Sequence, residues 1–240
     1  MLMLNDSKFI KRTLSAIILA PIVLGVIFYG GLAFQIFVGI ILGFSISEWW
    51  RMSLLTNKKI LFGIFGSIYI GLCVGAFYGL RIIPEYSDEY LKGSELVFCV
   101  LLMVWAGDIG AYFFGKFIGG PKMAPRFSPN KTLSGLIGGM LMGGLVFYGS
   151  VYYLMPYVPY FMDVYNNISG FWFFVYGALM GVVGQVGDVS ISAMKRYVGV
   201  KDTGNVIPGH GGILDRIDAL LLVSLVTLIS YYWLVEGING

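Results

Sequence analysis

Residues 13–47 read TLSAIILAPIVLGVIFYGGLAFQIFVGIILGFSIS. Two apolar runs, Thr13–Tyr29 and Leu32–Ser47, are joined only by Gly30 and Gly31. A membrane-crossing helix needs about 20 mostly apolar residues, with about 17 as the lower bound. Strands of a membrane barrel instead alternate over about ten residues. Runs this long and this uniform predict two helices in a bilayer, and the two-residue join predicts a tight helical hairpin.

Five more runs repeat the pattern: Ile60–Leu80, Leu96–Gly115, Leu133–Met155, Phe171–Gly187 and Ala219–Val235. The expected fold is an all-α, polytopic transmembrane protein with about seven spans. Residues 1–240 form one integral membrane domain, with N-terminal helices over 1–95 and the polar loops of interest over 96–240. Composition agrees. Of 240 residues, 58% are hydrophobic and 12% charged, about half the charged share of a soluble domain. Sixteen Lys and Arg with thirteen Asp and Glu are too few to coat a globule of this size. The 34 glycines suit close helix packing. Cys73 and Cys99 lie inside apolar runs, without disulfide or metal-ligand spacing. Lys8, Lys11 and Arg12 before the first run resemble a signal peptide, but no small-residue cleavage site follows, so a retained helix is expected.

The basic residues divide unevenly between the loops. Lys8, Lys11 and Arg12, then Arg51, Lys58 and Lys59, then Lys116, Lys122, Arg126 and Lys131, then Lys195, Arg196, Lys201 and Arg216 fall on one side. Arg81 and Lys92 fall on the other. Basic loops stay in the cytoplasm, which predicts a cytoplasmic N-terminus and an external C-terminus. The opposite loops, Pro84–Lys92 and Pro156–Asn167, carry acids, prolines and aromatics such as Tyr157, Tyr160 and Phe161, the composition of an interfacial belt.

Two segments on the cytoplasmic side are too polar to be plain connectors. The first, 108–139, contains Asp108 with Tyr112 one turn later on the same helix face. A carboxylate at membrane depth costs at least ~2.5 kcal/mol unless paired or hydrated, so Asp108 either lines a polar cavity or snorkels to a neighbour. Ser128, Lys131 and Thr132 follow, near the expected start of the fifth helix. They suit an anion site at a helix N-terminus or, alternatively, a cap beside a topogenic lysine.

The second segment, 184–218, is denser. Asp215 and Asp218 share a face at the start of the last helix, and Asp188 ends the helix before it. Three converging carboxylates repel one another without a cation, and hard oxygen ligands suit Mg²⁺. The other possibility is three separate acids, with Arg216 pairing one of them. Lys195, Arg196, Lys201 and Arg216 flank the acids, as phosphoryl or nucleotidyl transfer requires. Pro208-Gly209-His210-Gly211-Gly212 makes a sharp turn that lets a ligand approach the backbone, and His210 is the chain's one histidine. No nucleophile elbow and no GxxxxGK[ST] phosphate loop is present.

The stretch Ser192–Asp218 resembles the signature of the phosphatidate cytidylyltransferases, or CDP-diacylglycerol synthases. The matching positions are Ser192, Lys195-Arg196, Lys201-Asp202, Gly204, Pro208 to Gly212, Asp215-Arg216 and Asp218. Gly187-Asp188, Asp108 with Ala111-Tyr112 and Gly115, and Ser128-Pro129 with Lys131-Thr132 and Gly135 are similar as well. The chain departs from the pattern at Asn130 and Ser134, and members are often given eight or nine spans. The resemblance implies that CMP passes from CTP to phosphatidic acid with release of pyrophosphate. It implies catalytic roles for Asp188, Lys201, Asp202, Asp215 and Asp218, with Mg²⁺, and a second cation as an open alternative, on Asp188, Asp215 and Asp218. It implies substrate contacts from Asp108, Tyr112, Ser128, Lys131, Thr132, Ser192, Lys195, Arg196, His210, Gly211 and Arg216. A homodimer in a bacterial inner membrane, with its site facing the cytoplasm and no nucleic-acid partner, belongs to the same expectation. The competing readings are an ion-coupled secondary transporter using Asp108 and Asp188, and a CTP-dependent lipid-alcohol kinase. The Asp-Gly to Ala-Arg pattern of CDP-alcohol phosphotransferases is not found.

Overall fold

A computed structural model describes residues 6–86, 93–154, 169–207 and 211–239. In chain order the elements are α1 (Asp6–Tyr29), α2 (Gly31–Ser53), α3 (Lys59–Tyr86), α4 (Gly93–Phe117), β1 (Lys122–Ala124), β2 (Ser128–Thr132), α5 (Leu133–Leu154), α6 (Gly170–Tyr197) and α7 (Leu214–Asn239). The chain is a predominantly helical integral membrane protein. Large apolar side chains stand outward on successive helices, among them Leu32, Phe65, Leu145 and Trp172, where only lipid can solvate them.

The helices fall where the apolar runs predict, with two differences. Among the described residues, five stretches, over Gly31–Ser53, Lys59–Ile82, Gly93–Phe117, Leu133–Tyr153 and Gly170–Tyr197, are long and apolar enough to cross a membrane, beside seven apolar runs in the full sequence. The apolar part of α1 among the described residues, Ile17–Tyr29, is shorter, and α7 opens on charged Asp215, Arg216 and Asp218. Secondly, the stretch before α5 is a two-stranded antiparallel ribbon, with Lys122 opposite Thr132 and Ala124 opposite Ser128. Pro129 bars Ser128 from helical backbone, so the chain stays extended until Thr132. The aromatic loop Pro156–Asn167 and most of Pro84–Lys92 lie outside the described residues, as does His210.

The chain forms two compact units, each discontinuous in sequence. One comprises residues 1–74 and 194–217. Here Gly30 takes φ 69° and Gly31 φ 53°, a left-handed pair that only glycine adopts readily, and α1 turns into α2 as the hairpin reading predicts. Trp49 fixes α2 on α3: its indole donates to the Phe62 carbonyl at 2.8 Å and fills the space beside Gly66. Tyr197, the last residue of α6, stacks on Phe62 with ring centroids 5.7 Å apart.

The other unit comprises 75–193 and 218–240. In lipid, helices associate through close backbone packing more than through hydrophobic burial. The α4–α5 contact follows that rule: Gly110 and Gly138 face each other so closely that a methyl group on Gly138 would stand 2.7 Å from the Gly110 carbonyl oxygen. Val97, Cys99, Val100 and Met103 of α4 are enclosed at its centre.

Candidate active site

In the first unit the signature segment closes on itself around Asp215. Lys195 Nζ donates to Asp215 Oδ1 at 2.6 Å. The other carboxylate oxygen, Oδ2, accepts from the amides of Thr203 (2.8 Å) and Gly212 (3.0 Å) and lies 3.0 Å from the Thr203 hydroxyl. Burial pushes the Asp215 carboxyl up, but the Lys195 hydrogen bond, the two amides and the Lys195 charge outweigh it and hold the group below its ordinary 3.8. Asp215 is therefore a carboxylate. Gly211, at φ +86°, lets the backbone reverse, and Gly212 leaves no room for a side chain between Thr203 and the acids around it.

A second buried carboxylate meets the same turn. Glu48, on α2 and wholly enclosed, accepts from the amides of Ile213 and Leu214, each at 2.9 Å, and lies 2.8 Å from the Thr203 hydroxyl. The Thr203 hydroxyl stands between two acids, and its single proton serves one at a time. Around this anchored turn, Arg196, Lys201, Asp202 and Arg216 are exposed. Arg196, in the last turn of α6, donates to the Val200 carbonyl of the turn that follows at 2.9 Å.

In the second unit Asp188 is the centre. Lys131 Nζ sits 2.7 Å from Asp188 Oδ2 and reaches the Gln185 carbonyl at 3.4 Å, while Ser192 donates to Asp188 Oδ1 at 3.2 Å. The pair is partly open, at 15% and 30% side-chain exposure. The backbone of α7 passes directly behind: a methyl group on Gly187 would lie 2.7 Å from the Asp218 carbonyl oxygen, so glycine is what lets α6 and α7 meet at the acids. Asp218 Oδ1 accepts from the Ala219 amide at 2.9 Å.

The remaining expected residues of this unit take other positions. Thr132 is buried and caps α5, its hydroxyl accepting from the Gly135 amide at 3.1 Å. Of the two alternatives for that residue, the structure carries the cap. Ser134 donates to the Gly119 carbonyl, and Ser128 is half-buried in β2. Asp108 and Tyr112 are on an exposed face of α4, where Lys116 donates to the Tyr112 hydroxyl at 3.1 Å and lies over its ring.

Among the described residues, no three His, Cys, Asp or Glu side chains gather into a group able to hold a metal ion. The sequence expectation sets Asp188, Asp215 and Asp218 on one cation. Both oxygens of Asp215 are occupied by Lys195 and by turn donors, because Asp215 holds the loop together. Lys195, expected on a phosphate, is the buried counter-ion of that carboxylate. Glu48, Thr203 and Gln185 were not expected at all. A signal for Glu48 did exist: an acid placed directly between an apolar run and Trp49-Trp50 demands a partner.

A cytidylyltransferase family model matches residues 10–89 and 54–234. A phosphatidate cytidylyltransferase of Rickettsia bellii is 34% identical over 222 residues, covering 92% of this chain and 89% of that protein. One of Rickettsia conorii is 31% identical over 231 residues, covering 96% and 94%. One of Bacillus subtilis is 36% identical over 168 residues, covering 70% of this chain and 56% of that longer protein. A family model spanning most of the sequence, with relatives aligned almost end to end, agrees with the signature at Ser192–Asp218: the chain belongs to the cytidylyltransferase family.

Proposed function

We infer that this protein transfers CMP from CTP to phosphatidic acid, forming CDP-diacylglycerol and pyrophosphate. The observation that carries the reading is the alignment over 92% of the chain with a protein named for that reaction. The geometry is compatible with it. Asp188 and Asp215 lie close in sequence to exposed Arg196, Lys201 and Arg216, the charge pattern of a site for polyphosphate.

In the reaction, a phosphatidate oxygen attacks the α-phosphorus of CTP in line. The new P–O bond forms as the bond from that phosphorus to the bridging oxygen breaks, and pyrophosphate leaves with the electron pair. The nucleophile is already an anion, so no general base is needed. Lys201 and Arg216 hold and neutralise the triphosphate oxygens, which favours the transition state through fixed positive charge. Lys131 orients Asp188, and Lys195 keeps Asp215 ionised and the turn closed. The acyl chains stay in the bilayer.

Magnesium takes one or two carboxylates and fills its octahedron with phosphate oxygens and water. Asp188, whose side chain is 30% exposed although Lys131 and Ser192 reach its oxygens, and Asp218, one helical turn beyond Asp215, are the residues that would hold it, and no all-protein cage is needed. When bound, the ion would supply charge neutralisation on the phosphates. We further infer from the loop charges that the N-terminus and the site face the cytoplasm of a bacterial inner membrane, and from the family resemblance that the protein acts as a homodimer.

The test is to incubate detergent-purified protein with α-labelled CTP, phosphatidic acid and Mg²⁺, and to separate lipid from water-soluble label. Label in the lipid phase, matched by pyrophosphate, is the expected result. Folded protein that yields neither overturns the function.

A further inference from the structure

Glu48 is a buried charge that the reaction above leaves without a task. It lies five residues before the end of α2, 0% exposed, and a carboxylate is enclosed this fully only when hydrogen bonds offset its lost hydration. Among the described residues its donors lie in the segment that leads into and opens α7: the Thr203 hydroxyl and the amides of Ile213 and Leu214. The first amides of a helix have no partner within it. Usually a Ser, Thr, Asp or Asn just before the helix supplies one. Here that position is Ile213, which has nothing to offer. The cap comes instead from a residue 166 positions away in sequence, and its negative charge also suits the positive end of the helix dipole.

The loop is shaped to admit this acid. A Cβ on Gly204 would lie 2.7 Å from Glu48 Oε1, and one on Gly212 would overlap Oε2. Two glycines of the signature thus make space for a carboxylate that the signature does not contain. The same loop carries Lys201, Asp202 and, on the first turn of α7, Asp215 and Arg216.

We propose that Glu48 is a positioning residue for cytidylyl transfer, tying Thr203 to Ile213 and Leu214 at the start of α7 so that Lys201 and Arg216 present a fixed set of charges to the triphosphate. The proposal rests on the function inferred above. It differs from a purely structural role in what it does to nucleotide binding. A residue that only supports folding lowers the fraction of active molecules, and so the apparent kcat, without changing KM.

The test compares wild type, Glu48→Gln, Thr203→Val and Arg216→Ala, each shown to be monodisperse in detergent and with its thermal midpoint recorded. In Glu48→Gln the amide nitrogen must face one of the donors, so the clamp opens. Losing one hydrogen bond to a charged group predicts KM for CTP up about tenfold, with KM for phosphatidic acid unchanged. Folded Glu48→Gln with KM for CTP within about twofold of wild type, whatever its kcat, overturns the proposal. Where Glu48→Gln does not fold, Thr203→Val, which removes one donor and keeps the volume, is read by the same criterion. Arg216→Ala separates the two levels. If its KM for CTP is unchanged, the assignment of these bases to the triphosphate is wrong. If it rises and the clamp variants do not follow, only the role of Glu48 is wrong.

Discussion

Lys195 Nζ and Asp215 Oδ1 are 2.6 Å apart, with side chains 11% and 4% exposed. They join the last turn of α6 to the first turn of α7 across 20 residues of sequence. Removing one member of a buried pair leaves the other charged and unsolvated, at a cost of about 3–5 kcal/mol. Asp215→Asn should lower the thermal midpoint sharply and abolish turnover, as read by a melting curve and the lipid-label assay. A variant with wild-type stability would remove the pair from any account of the loop. The effect also has a pH signature. The folded-state pKa of Asp215 lies below its ordinary 3.8, so its stabilisation is complete above that pH and is lost as pH falls through the lower folded value. Wild type should therefore lose stability on acidification below 3.8 more steeply than Asp215→Asn does.

Lys131 and Asp188 form a more open pair, and such pairs contribute at most about 1 kcal/mol to stability. Lys131→Met should thus melt close to wild type. Its turnover should fall by about a hundredfold if the ammonium orients a carboxylate that acts on the phosphates. Full turnover in a Lys131→Met preparation would show that the ion pair is incidental.

At Gly187 the backbone of α6 touches that of α7 at Asp218. An added methyl group would stand 2.7 Å from the Asp218 carbonyl oxygen and 3.3 Å from Leu222 Cβ, and overpacking of this kind costs about 1–3 kcal/mol. Gly187→Ala should lose stability and activity together. Gly149→Ala, where nothing lies within 4 Å, should lose neither. Equal behaviour of the two would mean that the helices can separate at no cost to function.

Thr132 is a cap, and its loss is graded. Thr132→Val removes the acceptor for the Gly135 amide at a cost of about 1 kcal/mol, visible as a small fall in the melting temperature. Thr132→Ser keeps the oxygen and should melt like wild type. If KM for CTP rises in Thr132→Val as much as in Lys131→Met, the hydroxyl binds substrate and the cap is secondary.

The helices were legible because their cause is local. Uninterrupted apolar runs must satisfy their own backbone in lipid, so α2 to α6 lie close to the runs that predict them. The hairpin at Gly30-Gly31 was legible for the same reason, since two residues allow only one kind of turn. The ribbon over 122–132 was not, because its strands hold few apolar residues and alternate weakly. The spacing of Asp215 and Asp218 showed correctly that they share a helix, but spacing alone carries no information on which atoms fill their oxygens.

By itself the sequence determined the membrane environment, the helical class and the family, since composition, run length and the motif from Ser192 to Asp218 are all properties of the chain read in order. The tertiary structure decided how the acids divide their work. Asp215 is occupied by Lys195, Thr203 and Gly212, Asp188 is matched to Lys131, and Glu48 is brought to the start of α7 from the N-terminal third of the chain. Those assignments depend on which hydrogen-bond donors reach a buried carboxylate, and only the folded backbone brings donors from distant segments within 3 Å of it.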